Sequence, residues 1–324
     1  MMRTELDAAG VLDPHLRDAY QRCRELNARY GRTFFLATRL LAPSQRPAVH
    51  ALYGFARLAD DILDDFNPHI DTAERGARLQ RLAEQFFEGS ASGVLESGEH
   101  AGDPVLAAVI HTARAYNIAP ELFDAFLASM RMDLTVTDYP NRAALDRYVY
   151  GSAEVIGLQC LPVLGTVSSA EEAAPYAAAL GKAFQLTNFL RDVDEDLVRQ
   201  RIYLPADELA SHGVDRALLT WCHIHRRTDA RVRRALAEQH DRTREIYRVA
   251  RAGLPLLAPR SRPCVATALT LYSEILDRIE DSDFAVFSQR AKVGTVRRLQ
   301  VAGSGLVHAW WARTATGEAA VGAA

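Results

Sequence analysis

Gln185-Leu186-Thr187-Asn188-Phe189-Leu190-Arg191-Asp192-Val193-Asp194-Glu195-Asp196 repeats an oxygen-bearing side chain every four residues, at Asn188, Asp192 and Asp196. Four residues is about one helical turn, so these three line one helix face. The approach to them, Ala183 to Leu190, is mostly apolar, a setting in which a polar amide needs a buried partner. A second acidic set lies far upstream in Tyr53-Gly54-Phe55-Ala56-Arg57-Leu58-Ala59-Asp60-Asp61-Ile62-Leu63-Asp64-Asp65. Asp60 and Asp64 are again one turn apart. Taken alone, either cluster reads equally well as a solvated face. A solvated face, however, would carry Lys or Glu at helical spacing. Here Asp60 and Asp61 interrupt an apolar stretch from Ala51 to Leu63, broken otherwise only by Tyr53, Gly54 and Arg57. Two carboxylate faces that meet across a cavity repel unless cations sit between them. Oxygen ligands that leave room for substrate phosphates suit Mg²⁺. The pair therefore points to a metal-bridged diphosphate site.

The rest of the chain bounds this reading. Its 324 residues suffice for one large domain or two ordinary ones. A hydrophobic content of 48% supports a sizeable core. The net charge of −3 leaves no footprint for nucleic acid. Lys182 and Lys292 are the only lysines, so nearly all positive charge is arginine. Cys23, Cys160, Cys222 and Cys264 are scattered without a CxxC pair, which fits buried free thiols in a reducing compartment. The start of the chain lacks an apolar signal segment, and no run approaches the roughly 20 apolar residues of a membrane span. The expectation is a cytoplasmic protein that can still touch a membrane surface.

The periodicity is helical almost throughout. Leu79, Leu82, Phe86 and Phe87 keep a three-to-four spacing, as do Leu122, Phe123, Phe126, Leu127 and Met130. Breaks are expected at Pro43, Asn67-Pro68, Gly89 to Gly102, Tyr139-Pro140, Pro205, Gly213, Gly253 to Pro263 and Gly294. Gly89 to Asp103 reads as a surface loop, and Asp103-Pro104 as a helix start with Asp as cap. The expectation is one all-α domain over residues 1–313, its long helices around a central cavity, with a frayed Ala/Gly-rich tail over 314–324.

These residues carry a resemblance. Gly181, Gln185, Asn188 and Arg191-Asp192, followed by Glu195-Asp196 and Arg201-Ile202-Tyr203-Leu204-Pro205, resemble the signature of the squalene/phytoene synthase family. Tyr53, Arg57, Asp60 and Asp61 resemble that family's first aspartate-rich motif. Thr33-Phe34 with Leu40-Leu41, Met130 to Asp133, Tyr148 to Gly157, Tyr272 to Leu276, and Arg290 with Val293-Gly294 also match. The resemblance spans roughly residues 28 to 300.

The resemblance implies the isoprenoid synthase fold, a single helical domain with two aspartate-rich motifs facing across a deep tunnel. It implies that two prenyl diphosphates condense head to head through a cyclopropylcarbinyl diphosphate. Mg²⁺, with Mn²⁺ as a substitute, would be held by Asp60, Asp61, Asp64, Asn188, Asp192 and Asp196. Tyr53, Arg57, Tyr148 and Arg191 would act on the reacting groups, the arginines through bidentate contacts to phosphate oxygens. Arg32, Thr33, Phe34, Asp133, Gln185, Tyr203, Tyr272 and Arg290 would bind substrate. For the tyrosines the competing reading is core packing with a satisfied hydroxyl; for Asp133 it is a structural ion pair with an arginine. His223 and His225 lack acidic or Cys partners at metal spacing and read as surface residues.

Within the family the chain is most similar to bacterial phytoene synthases, which implies two geranylgeranyl diphosphates, no NADPH, and peripheral contact with a membrane for product release. Squalene or dehydrosqualene synthesis from two farnesyl diphosphates is the nearest alternative. A non-catalytic assembly protein of the same fold is the alternative from another class, disfavoured by the complete acidic set. Gly31 stands where some relatives carry Ser, and Ala42 separates Leu41 from Pro43. Glu154 stands where the family helix has a small residue. A buried Glu is costly unless paired or protonated.

Overall fold

The computed structural model describes residues 2–64, 70–92 and 103–315. Among them the secondary structure is helical, with two isolated bridges and no strand. The helices are α1 (Met2–Ala8), α2 (Pro14–Tyr30), α3 (Arg32–Thr38), α4 (Arg46–Leu63), α5 (Thr72–Ser92), α6 (Pro104–Ala115), α7 (Pro120–Met132) and α8 (Arg142–Val149), then α9 (Val155–Leu164), α10 (Ala170–Arg191), α11 (Val193–Val198), α12 (Ala206–Ser211), α13 (Arg216–His225), α14 (Ala230–Ala252), α15 (Arg262–Asp281) and α16 (Thr295–Ala315).

Most boundaries follow from local chemistry. Asp103 caps α6, its carboxylate accepting from the Val105 amide at 2.8 Å, with Pro104 in the first turn. Pro140, Pro205 and Gly213 fall between helices, and Gly294 immediately precedes α16. One expectation changes. Gly89 to Ser92, read as the start of a loop, continues α5. Ser90 returns its hydroxyl to the Phe86 carbonyl, and the amphipathic packing of Leu79, Leu82, Ala83 and Phe86 carries the helix past the glycine. The Asn67-Pro68 break, Asp65, residues 93–102 of the expected loop and residues 316–324 of the expected tail lie outside the described residues. α16 itself runs to Ala315, two residues beyond the expected domain limit.

Two helices carry the acidic motifs. α4 buries Ala48, Ala51, Leu52, Phe55, Ala59 and Leu63 against α2 and α6, which leaves the Tyr53, Arg57 and Asp60 side free to face the interior hollow. α10 packs on α9, α14 and α15 and so is surrounded by other helices. A π-helical turn, Tyr150–Glu154, joins α8 to α9. A side chain at Gly181 would bring its Cβ within 2.2 Å of the Ala153 carbonyl, and one at Gly157 within 2.2 Å of the Ala177 carbonyl. α10 and the π-turn therefore meet backbone to backbone, which only glycine permits. An extra residue in a helix is rare and often marks a functional wall. Here the turn places Ser152 and Ala153 on the hollow.

Candidate active site

The hollow is a cavity of about 320 Å³ that opens to solvent. α3, α4, α9, α10 and α15 wall it with apolar side chains such as Leu41, Leu52, Ile156, Leu161, Leu180 and Ala268. Tyr53, Ala56, Gln185 and Asn188 stand on its wall; Asp60 follows one turn beyond on α4, and Asp192 caps the end of α10, whereas Asp196, expected on the same helix face, lies past the break at Asp192 on α11. The cavity is thus apolar along its length and acidic beyond one end.

The charges at that end are unequal. Arg57 is ion-paired with Asp61 and lies over the Tyr30 ring, 4.4 Å from its centroid. Asp64, just past α4, faces Arg199 at 3.6 Å, a direct link between the two motifs. Asp192 accepts from Arg191 at 2.5 Å and from Arg290 at 2.8 Å. Burial acts to raise the Asp192 carboxyl, but these two guanidinium contacts outweigh it and hold the group below its ordinary value. Arg290 also reaches Glu195 at 3.2 Å.

Asp60 and Asp196 are different. Burial, over the opposing pull of Arg57, pushes Asp60 up to about 7, with Asp64, Asp133 and Asp61 adding repulsion. The carboxylate is nevertheless open to water. Solvent screening at the exposed carboxylate therefore offsets part of the effect of burial. Burial and then Asp192 likewise raise Asp196 to about 7, against Arg199 and Arg201. The Oδ1 of Asn188 is buried with no hydrogen-bond partner. Leaving an acceptor unmet costs about 1–3 kcal/mol. Two under-neutralised carboxylates and one orphaned amide oxygen are hard-oxygen donors short of positive charge on the two acidic motifs.

That set fits Mg²⁺. Among the described residues no three His, Cys, Asp or Glu side chains converge as an all-protein cage. Mg²⁺ is ordinarily bound through one or two carboxylates plus substrate phosphates, which needs no such cage.

The other expected residues divide. Phe34 lines the cavity, whereas Thr33 is half-buried and Arg32 exposed at the start of α3. Tyr272 is buried, is not among the cavity-lining residues, and packs with a tilted ring against Phe184 at 4.3 Å and Phe34 at 5.0 Å, both of which line it. Burial raises both Tyr53 and Tyr272 to about 12, so both stay protonated. Tyr148 is not among the cavity-lining residues. It packs with Tyr139, Phe189 and Tyr203, and its hydroxyl donates to Asp133 at 2.8 Å. The Tyr203 hydroxyl reaches the same carboxylate at 3.4 Å, and Arg201 donates to the Asp133 carbonyl at 2.7 Å. Asp133, raised above its ordinary value by burial, anchors this aromatic block beside the acidic end.

Sequence spacing missed several partners. Arg199 and Arg201 lie within the motif's continuation, but nothing in their spacing gives their targets. Phe184, between Phe34 and Tyr272, was read only as apolar. His223 does have an acidic partner: its Nδ1 lies 2.7 Å from Asp194, which also holds Arg226. Glu154 faces Lys182 at 3.4 Å, and Lys182 lies 2.8 Å from Asp146.

Among the described residues the chain is helical around an apolar cavity, with acidic side chains beyond one end. The chain belongs to the squalene/phytoene synthase family, whose model matches residues 27–297. It is 35% identical to a phytoene synthase from Arthrospira platensis, over 87% of this chain and 90% of that protein. It is 37% identical to a chloroplastic phytoene synthase from Narcissus pseudonarcissus over 88% of this chain, and spans 65% of that protein's length. Among solved structures it is similar to a dehydrosqualene synthase bound to a ligand, at 25% identity and a TM-score of 0.79, over 90% of this chain and 97% of that one. A squalene synthase from Alicyclobacillus acidocaldarius superposes with a TM-score of 0.73 at 25% identity, over 86% and 98%.

Proposed function

We propose that the chain is a phytoene synthase of carotenoid biosynthesis, joining two geranylgeranyl diphosphates head to head, through a cyclopropylcarbinyl diphosphate, into the forty-carbon phytoene. The observation that carries the reading is the pair of under-neutralised carboxylates, Asp60 and Asp196, with the orphaned Asn188 oxygen, beyond one end of an apolar cavity. The preference for the longer substrate over two fifteen-carbon chains rests on the phytoene synthase relatives at 35% and 37% identity.

Asp60, Asn188 and Asp196 would hold Mg²⁺, together with Asp64 and Asp192, which are now paired with Arg199 and with Arg191 and Arg290. Asp61 lies at the rim as the partner of Arg57. When bound, the metal neutralises the leaving diphosphate and so lowers the barrier to ionisation. Arg57, Arg191 and Arg290, now held by carboxylates, are placed to give bidentate hydrogen bonds to the same oxygens. Tyr53, on the cavity wall, would present its protonated hydroxyl and ring face to a cation, with Tyr272 packed on the wall residues Phe34 and Phe184. Phe34, Phe184 and the aliphatic wall exclude water, which would quench a carbocation. The final step is proton loss, which needs no hydride and hence no NADPH. The setting is cytoplasmic and peripheral to a bilayer. Among the described residues no helix is long and apolar enough to cross one.

The test is diphosphate release from geranylgeranyl diphosphate with and without Mg²⁺, for the parent and for Asp60→Ala and Asp192→Ala. The reading expects metal-dependent release, abolished in both variants with helical content intact. Full release in either variant at saturating Mg²⁺ contradicts the assignment of those residues.

A further inference from the structure

α10 spans the length of the cavity. It lines the wall from Ala173 and Tyr176 at one end to Gln185 and Asn188 at the other. The acidic motifs lie at the Asn188 end. Twelve residues separate Asn188 from Tyr176, about 18 Å at 1.5 Å per residue. The neighbouring helices keep the same direction. On α14 the Tyr247 hydroxyl lies 2.9 Å from that of Thr187, whereas Gly253, just past that helix, lies against Tyr176. On α15 Tyr272 packs on Phe184, and Val265, about two turns earlier, reaches the Ala173 end.

That end is walled by apolar packing. Leu161, Ala173, Leu257 and Val265 belong to one buried cluster, and all four also line the cavity. Tyr176 is the aromatic side chain at this end. It is held at its root. A Cβ at Gly253 would fall 2.2 Å from the Tyr176 Cβ and 2.8 Å from its Cγ, so the backbone at residue 253 packs directly on it. Side chains on a helix lean toward its N-terminus, which carries the ring toward the floor and away from Asn188.

We infer that Tyr176 is the stop of the tunnel and sets the longest prenyl chain the protein accepts. Such a role rests on the prenyl diphosphate reading proposed above. Carbon–carbon bonds of about 1.5 Å advance an extended chain by about 1.25 Å each. The main chain of a geranylgeranyl group is then about 19 Å long, and that of a farnesyl group about 14 Å. With the diphosphate at the acidic end, the twenty-carbon chain reaches the level of Tyr176 and the fifteen-carbon chain stops about one helical turn short. A twenty-five-carbon chain runs about 5 Å further, into the ring. A packed wall rejects added volume. The phenol ring is similar in size to one five-carbon unit, so its removal opens room for one more.

Titration calorimetry of the full chain with farnesol, geranylgeraniol and the twenty-five-carbon geranylfarnesol, in EDTA, reads the tunnel without turnover. The variants are Tyr176→Ala, Tyr176→Leu and Tyr176→Phe. In the parent, geranylgeraniol should bind better than geranylfarnesol. Tyr176→Ala should improve the longer alcohol relative to the shorter by about tenfold or more, and Tyr176→Leu by less. Tyr176→Phe keeps the bulk of the ring and should keep the parent's ratio. A general loss of stability weakens all three alcohols together and leaves that ratio alone. Tyr176→Leu still fills part of the wall and decides the matter if the alanine variant does not fold. An unchanged ratio in the alanine or leucine variant overturns the inference. So does an equal shift in Tyr176→Phe, or a parent that binds none of the three alcohols. Diphosphate release from the three corresponding diphosphates with Mg²⁺ is read alongside. Its absence in the parent and every variant counts against the synthase reading alone. A parent that turns over farnesyl diphosphate best counts against the phytoene assignment, and the alcohol ratios still decide the stop.

Discussion

Replacing Asp60 by Asn should stabilise the metal-free protein above neutral pH while it destroys turnover. The folded protein raises Asp60 from 3.8 to about 7, so the folded state keeps its proton longer than the unfolded chain does. Stability contributed by such a group is fully present at acid pH and is lost as pH rises through the folded value. Between pH 6 and pH 8, a carboxyl titrating near 7 when folded and near 4 when unfolded costs up to about 1.4 kcal/mol. Asp60 is exposed, and solvent screening reduces its share to about 0.7 kcal/mol. Asp196, half-buried and also raised to about 7, adds its own loss over the same window. In EDTA the parent should therefore lose about 2 kcal/mol from pH 6 to pH 8, and Asp60→Asn only about 1.4 kcal/mol. At pH 8 the variant should exceed the parent by about 1–2 kcal/mol, because a neutral amide replaces an under-neutralised charge. Urea titrations followed by circular dichroism measure both numbers. Parent stability that is flat or rising from pH 6 to 8, or a variant weaker than the parent at pH 8, would refute the electrostatic account of the site.

Asp133→Asn should lower stability by about 1–3 kcal/mol, since the carboxylate receives both the Tyr148 and Tyr203 hydroxyls; a melting temperature equal to the parent's counts against the anchoring role. Glu154→Ala should fold and keep synthase activity at a cost below about 1 kcal/mol, because Lys182 retains Asp146 at 2.8 Å. Lys182→Ala should cost more, as it strands two carboxylates, and equal losses in the two variants would contradict the shared pairing. Gly181→Ala should cost about 2–4 kcal/mol or yield no soluble protein, because its Cβ meets the Ala153 carbonyl, which cannot rotate away; a urea midpoint like the parent's would show that the π-turn yields.

The helical class and the two acidic faces are legible because they depend on spacing within one helix. Asn188 and Asp192, or Asp60 and Asp64, need only the 3.6-residue period to be placed together, whereas Asp196 lies beyond the break at Asp192, on α11. The breaks at Pro140, Pro205 and Gly294 are legible for the same local reason. What joins different helices is not. Arg199 meeting Asp64, Arg290 meeting Asp192 and His223 meeting Asp194 are contacts across 135, 98 and 29 residues, and any of many arginines would satisfy the same pattern. The division of the carboxylates into neutralised and under-neutralised ones follows from those contacts, so it could not be read from the chain. Tyr148 shows the same boundary. Its motif suggested the tunnel wall, and its position in the aromatic block is decided by Tyr139, Phe189 and Tyr203. The π-turn at Tyr150–Glu154 had no local signature beyond the out-of-place Glu154.

The central claim is the identity of the product. Labelled geranylgeranyl diphosphate and farnesyl diphosphate are each incubated with the protein and Mg²⁺, with and without NADPH, and the hydrocarbons are separated by chromatography. The account predicts a forty-carbon hydrocarbon with a central double bond from geranylgeranyl diphosphate, unchanged in rate and reduction state by NADPH. Farnesyl diphosphate as the clearly better substrate, with NADPH shifting the product to squalene, would contradict it.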